Sequence, residues 1–428
     1  MQMKNKINVW IIIAVASLIL EGWALYVVGA SPEHWRSAMI VKNEPAAHAL
    51  YDEMIKTIRQ ANSLSYTSAC SGPDSRVSSY EVWLKKSNFF RVEANNVPSW
   101  KINTLVGDGD WLWIFWDGTR PFLKVDDTES HKKTQSQVYI KESRPTGSNS
   151  IRNKIDLLGI TWYGMILDPS IFHGYSDPLE SYIDGVRSRG PYHIGDQECD
   201  IVEVSYMKAQ RTRYFWISRE NQLPLMMKEI LRLSENQVRV EQWSDVTLNG
   251  LVPENKLEWS PPDGWQQWDI PGPDDVLLTA GLKAPDFDLP SADGGRIKLS
   301  DYHGKAVWLF FWQCGCPCCR QALPYLQKLH EQYQDKDLQI LGFNYADDKW
   351  IAQRYLAENA LTFPNVLDST NQAKKVMLRD YSNKTQTLPL HYIIDSQGNV
   401  VDAWCGYEEG HQRALAALKK AGLQITKE

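Results

Sequence analysis

The residues that could do chemistry are concentrated in one run, Phe311-Trp312-Gln313-Cys314-Gly315-Cys316-Pro317-Cys318-Cys319-Arg320. Four thiols fall within six residues, and Cys316 and Cys319 form a Cys-x-x-Cys pair. A thiolate attacks disulfides, and a second thiol within reach can resolve the mixed disulfide that results. The flanking residues supply the geometry. Ala306-Val307-Trp308-Leu309-Phe310 reads as a buried strand and Gln321 to Leu326 as a helix, so the pair sits on a strand-to-helix turn. The free N–H groups and positive end of a helix favour an anion at its start. Cys316 is therefore expected to be the exposed, low-pKa nucleophile, and Cys319, one turn on along the same face, the shielded resolving thiol. A Cys314–Cys316 disulfide would close a very tight ring. Cys316–Cys319 is thus expected as the main oxidised pair, and Cys314 or Cys318 is either an accessory thiol that captures a sulfenic acid or a neutral substitution buried beside the helix start.

The elements around this run fall into two halves. From Gly281 strands and helices alternate: Leu338 to Asn344 a buried strand, Lys349 to Glu358 a helix, Leu390 to Asp395 a strand, Gly398 to Trp404 its hairpin partner, and Gln412 to Ala421 a closing helix. That order predicts an α/β domain with a mixed sheet. Before it, residues 47–58 have helical spacing of apolar side chains. Long period-two segments follow, among them Ser79 to Leu84, Asp110 to Trp116, Cys199 to Tyr206, Thr212 to Ile217 and Gln237 to Trp243. They predict a large antiparallel sheet with one face buried, which a helix over Ile151 to Ile166 could cover. The Pro- and Gly-rich stretch after Pro261 reads as the boundary.

At 428 residues the chain accommodates more than one domain, and 43% hydrophobic residues support proper cores. A net charge of −6 gives no electrostatic footprint for nucleic acid. Seven cysteines cannot all pair within one chain. Cys70 and Cys199, in the sheet half, could bridge or stand as separate thiols. At the N-terminus Lys4 and Lys6 precede an apolar run from Val9 to Leu20, interrupted by Glu21 and continued to Ala30. Residues 1–30 read either as a signal peptide cleaved after Ala30 or as a single membrane anchor over Val9 to Val28, with the remainder on the outer, periplasmic side.

The second half resembles the exported TlpA/ResA-like thiol–disulfide oxidoreductases of the thioredoxin superfamily. The matching residues are Gly281-Leu282-Lys283-Ala284-Pro285-Asp286-Phe287, Leu299-Ser300-Asp301-Tyr302-His303-Gly304-Lys305, the Phe-Trp…Cys-Pro-x-Cys-Arg core with Leu323-Pro324, and Leu388-Pro389 before the strand ending at Asp395. The resemblance implies a thioredoxin-like fold and protein thiols or disulfides as partners, with an upstream thiol donor or acceptor. It implies no cofactor beyond the redox disulfide. It also implies a cis-proline at Pro389, with Leu388 and Trp312 as accessory residues and the backbone edge of Leu388 receiving the substrate as a strand. Cys405 lies in a segment that borders the active site in such folds. Where some relatives have an acidic residue three positions after the second cysteine, this chain has Ala322. The first half resembles, more loosely, the LolA/LolB-like lipoprotein-carrier fold, an incomplete antiparallel barrel around a helix plug. The resemblance rests on its helix-then-strands order, Lys85 to Glu93, and Leu257 to Trp265. Most of the 18 tryptophans lie in this half, and a hydrophobic or lipid-like ligand is the partner implied.

The organisation expected is thus residues 1–30 signal or anchor, 31–45 tether, 46–262 LolA-like sheet domain, 263–280 linker and 281–428 thioredoxin-like domain. Two other functions compete with dithiol exchange. A peroxiredoxin-like peroxidase usually carries Thr three residues before its cysteine, where this chain has Gln313 before Cys316 and Phe311 before Cys314. A Sco-like copper or soft-metal protein could use Cys314, Cys316, Cys318 and Cys319, with His391 turned toward them.

Overall fold

The computed structural model describes residues 42–72, 77–96, 104–119, 136–144, 165–175, 177, 179–233, 236–268, 272–333, 336–383 and 387–423. The signal or anchor at 1–30, most of the tether and the bulk of the helix expected over Ile151 to Ile166 lie outside the described residues.

The first half opens with helix α1 (Pro45–Gln60), begun by a proline at its first turn and burying Ala47, Tyr51, Met54 and Ile58 on one stripe. Strands β1 (Ser63–Ser71), β2 (Val77–Lys85), β3 (Phe89–Asn96), β4 (Thr104–Asp108), β5 (Trp111–Thr119) and β6 (Ser136–Ser143) follow. Then come β7 (Ile183–Ile194), β8 (Gln197–Tyr206), β9 (Arg211–Ser218), β10 (Pro224–Leu231) and β11 (Gln237–Leu248). With β12 (Gln266–Gln267) they form one sheet in the order β12-β6-β5-β4-β3-β2-β1-β11-β10-β9-β8-β7. Successive residues alternate between its faces. Leu64, Tyr66, Cys70, Tyr80, Val82 and Leu84 point into the core beneath α1. On the other face Trp113 and Phe115 pack against Tyr139, Trp259 and Trp265.

The described parts of the expected linker, 263–268 and 272–280, are packed against the two domains. Trp265 packs edge-on against Trp259, β12 pairs in parallel with β6, and Trp268 is buried. On the far side Leu277 is buried in the second domain, and Arg413 pairs with Asp274. Its prolines and glycines prevent long regular structure, but the tryptophans and Leu277 still gain by burial.

The second half is built on β15 (Ala306–Phe311), buried along its whole length as a strand covered on both faces should be. Strands β13 (Asp288–Pro290) and β14 (Arg296–Lys298) make a small hairpin. The main sheet adds β16 (Leu338–Asn344), β17 (Asn365–Leu367), β18 (Leu390–Ile394) and β19 (Val400–Cys405) in the order β17-β16-β15-β18-β19. The β17-β16-β15 part is parallel, and β18 and β19 run antiparallel to their neighbours. Between α2 (Glu254–Leu257) of the first half and the end of the chain lie α3 (Pro317–Tyr333), α4 (Lys349–Glu358), α5 (Asn371–Lys375) and α6 (Gln412–Lys420). Helices α3, α4 and α6 bury Leu323, Leu326, Ala352, Leu356, Ala417 and Leu418 against Trp308, Phe310 and Trp312 on one face of β15. Val307, Leu309 and Phe311 face the opposite core, with Phe287, Leu289 and Met377.

Candidate active site

Strand β15 delivers the chain to Trp312, whose backbone N–H still donates to Phe343 on β16 at 3.0 Å and whose indole N–H donates to Asn365 at 2.9 Å. The chain then turns through Gln313 to Cys316 and enters α3 at Pro317, which lacks the N–H that the first helical position would leave unpaired. Cys316 and Cys319 are joined as a disulfide, with Cα atoms 5.2 Å apart. Cys319 is fully buried and Cys316 is partly exposed. The N–H of Cys319 donates to Cys316 Sγ at 3.1 Å, which puts one of the free helix-start donors on that sulfur. The Leu388–Pro389 peptide is cis. Leu388 packs against the apolar cluster that contains Cys314, Cys316 and Cys319, and the carbonyl of Pro389 accepts from Gly406 N at 2.8 Å.

The remaining thiols have different fates. Cys314 is buried; its N–H donates to Asp347 at 2.6 Å, and burial, reinforced by that carboxylate, holds its thiol well above the ordinary range. That is a poor setting for the accessory nucleophile expected from sequence, because a thiol acts as its thiolate. Cys318 is exposed on the first turn of α3. Cys405 does not approach the dithiol from a facing loop. It ends β19 opposite Leu390, packs in the core on the other face of the sheet, and is pushed up to about 12 by burial and by Asp274. Cys70 and Cys199 are both buried and are not joined to each other; Ser68 Oγ lies 3.3 Å from Cys70 Sγ, and Cys199 donates to Tyr192 O at 3.3 Å.

His391 is not turned toward the thiols. Its Nδ1 accepts from the Trp308 indole at 3.2 Å, which leaves Nε2 to donate to Gly406 O at 3.0 Å, and the ring stacks on Trp404 at 4.6 Å. Both nitrogens are used, and among the described residues no group of three His, Cys, Asp or Glu side chains is arranged to hold a metal ion.

Several residues of the site carry no local signal in the sequence. Asp347, on the turn after β16, is buried and gathers N–H donors from Cys314, Asn344 at 2.6 Å and Gln210 at 3.0 Å, while burial raises its carboxyl. Arg320 donates from Nε to Cys314 O at 2.6 Å, with its guanidinium 4.7 Å from the Tyr355 ring. The hydroxyl of Tyr182, on the sheet domain, donates to Pro317 O at 3.0 Å.

A disulfide at the start of a helix, on a strand-to-helix turn of a five-stranded mixed sheet beside a cis-proline, defines a thioredoxin-like redox domain. Residues 280–403 match the AhpC/TSA family. Over 146 residues the chain is 33% identical to thiol-disulfide oxidoreductase ResA of Geobacillus kaustophilus (strain HTA426), a match covering 34% of this chain and 80% of that protein. It is 34% identical to the thioredoxin-like protein YneN of Bacillus subtilis (strain 168), covering 33% of this chain and 81% of that one. Among solved structures, a thiol:disulfide interchange protein DsbE from Chlorobium tepidum is 30% identical with a TM-score of 0.30, covering 34% of this chain and 98% of that one. Through its C-terminal domain the chain belongs to the ResA-type thiol–disulfide oxidoreductases, within the thioredoxin-like redoxins.

Proposed function

We propose that this protein exchanges disulfides with protein thiols through Cys316 and Cys319, from an exported and membrane-tethered position. The observation that carries the reading is the paired sulfurs on the first turn of α3, with the Cys319 amide on Cys316 Sγ. In the reducing direction the Cys316 thiolate attacks a substrate disulfide, forming a Cys316–substrate S–S bond and releasing one substrate thiolate, which takes a proton. Cys319, once deprotonated, attacks Cys316 Sγ, forms the internal disulfide and releases the second thiol. Two electrons pass from the dithiol to the substrate, and the oxidising direction is the reverse. Pro389 and Leu388 offer the backbone edge on which an extended substrate segment adds as a strand. Insulin reduction by the full chain tests this reading: wild type should turn over with a dithiol reductant, and Cys316→Ser should be inactive. Full activity of Cys316→Ser would refute it.

The tether rests on Lys4, Lys6 and the apolar run Val9 to Leu20. Alkaline phosphatase fused after Glu428 should be active in cells, and an inactive fusion with intact residues 1–30 would contradict export. The first half is a LolA-like domain in this reading, a curved sheet with α1 on its inner face. A cleft of about 470 Å³ runs between Tyr51, Ile55 and Arg59 of α1 and Ile171, Asp177 and Glu180. Its mixed apolar and charged lining suits an amphiphile, and native mass spectrometry of the purified full chain should retain one; a ligand-free mass would count against it.

A further inference from the structure

The sheet domain presses one small surface against the dithiol turn. The β8–β9 connection carries three consecutive non-glycine residues with positive φ, Met207 at 55°, Lys208 at 56° and Ala209 at 61°. Left-handed backbone at three side-chain-bearing positions is costly, and surrounding contacts must hold it. Those contacts are present. Met207 and Ala209 are buried, Arg232 donates to Ala209 O at 2.6 Å, and Lys208 pairs with Glu358 on α4 at 2.6 Å. The turn delivers Gln210, 2% exposed, whose amide donates both to Arg232 O at 2.6 Å and to Asp347 at 3.0 Å. Gly315, between Cys314 and Cys316, lies so close that a Cβ there would stand 3.2 Å from Leu231 and 3.5 Å from Gln210. Just beside it Tyr182 reaches Pro317 O, and Arg320 points a terminal nitrogen at Met207 O, 3.5 Å away, with its guanidinium 5.9 Å from the Tyr182 ring.

Two of these contacts, from the Met207 carbonyl and the Tyr182 ring, meet one charge. Arg320 follows Cys319 directly, its own N–H bonds Cys316 O at 3.2 Å, and its guanidinium is held between the Cys314 and Met207 carbonyls and two tyrosine rings. A cation fixed at a helix start favours a thiolate there, and the effect is lost if the side chain swings into solvent. Building on the dithiol assignment above, we propose that Tyr182 and Gln210 are positioning residues of the redox site. They form a wall that fixes Arg320 and the Cys314–Gly315 turn, so that the sheet domain sets the reactivity of Cys316.

The test uses the reduced full chain with Tyr182→Phe, which keeps the ring and removes the hydroxyl, and Gln210→Ala. The rate of Cys316 alkylation is followed from pH 5 to 10 by peptide mapping. Both variants should move the midpoint to higher pH, slowing alkylation at pH 6 by roughly 3- to 10-fold while the plateau at high pH stays put. Arg320→Gln should move it the same way. Superimposable profiles for all three would overturn the proposal. A rise in rate across the whole range with an unchanged midpoint would also overturn it, because it would make the wall a shield and nothing more. Thermal unfolding of each variant separates local effects from a loosened fold. Cys316→Ser in the insulin assay judges the dithiol assignment on its own.

Discussion

The backbone amide of Cys319 points at the sulfur of Cys316 from 3.1 Å. On reduction the same donor is in place for a thiolate, while Cys314 and Cys405 are held protonated by burial and by Asp347 and Asp274 respectively. Cys199 is pushed up to about 11 by burial, with Asp200 adding to it. Pulse alkylation of the reduced protein near pH 7 should therefore label Cys316 first and the exposed Cys318 next. Cys314, Cys405 and Cys199 should react at least about tenfold more slowly. Early labelling of Cys314 would contradict the arrangement.

Two buried histidines make stability depend on acid. Burial lowers His391 to about 3, and burial with the nearby Lys86 charge lowers His173 to about 3. The unfolded chain takes up these protons below about pH 6.5 and the folded chain does not. Their contribution is therefore complete above that pH and is lost as pH falls toward 3, by about 1.4 kcal/mol per pH unit for each. Urea unfolding at pH 7, 5.5 and 4.5 should show the decline. His391→Gln, which can still accept from Trp308 and donate to Gly406, should make it shallower.

In the sheet domain Arg213 is buried and paired with Glu229 at 2.9 Å and Asp177 at 3.2 Å, with Arg211 and Arg239 also facing Glu229. Burial alone would raise the Glu229 carboxyl, but the three arginines outweigh it and hold it far below its usual range. Removing one partner leaves buried charge uncompensated. Glu229→Gln should cost roughly 3–5 kcal/mol in urea unfolding, and a loss below about 1 kcal/mol would show that water reaches the cluster.

Gly342 on β16 has no room for a side chain, since a Cβ would run into the Asn365 amide that receives the Trp312 indole proton. Gly342→Ala should destabilise by about 1–3 kcal/mol and shift the tryptophan fluorescence. An unchanged spectrum and stability would mean that Asn365 moves aside freely.

The dithiol turn was readable because its signals are local: a run of buried residues from Ala306 to Phe311, then cysteines, then helical spacing. Strands such as Cys199 to Tyr206 were readable for the same reason, through alternation. The wall around the turn was not, because Tyr182 meets Pro317 across 135 positions and Gln210 meets Asp347 across 137, with no pattern in either neighbourhood to announce the partner. Arg213 and Glu229 sit in strands where charged residues ordinarily face water, and no local pattern announces that the two are buried and paired with each other. The stretch 263–280 reads as a linker because Pro and Gly report broken secondary structure; they say nothing about whether Trp268 and Leu277 are buried.

Mixed-disulfide trapping identifies the attacking sulfur itself. Reduced Cys319→Ser full chain is mixed with an oxidised peptide disulfide and analysed by intact mass and peptide mapping. One stable adduct per chain is expected, on Cys316, and none after Cys316→Ser is added. An adduct carried mainly by Cys314 or Cys318, or none at all under conditions where wild type turns over, would contradict it.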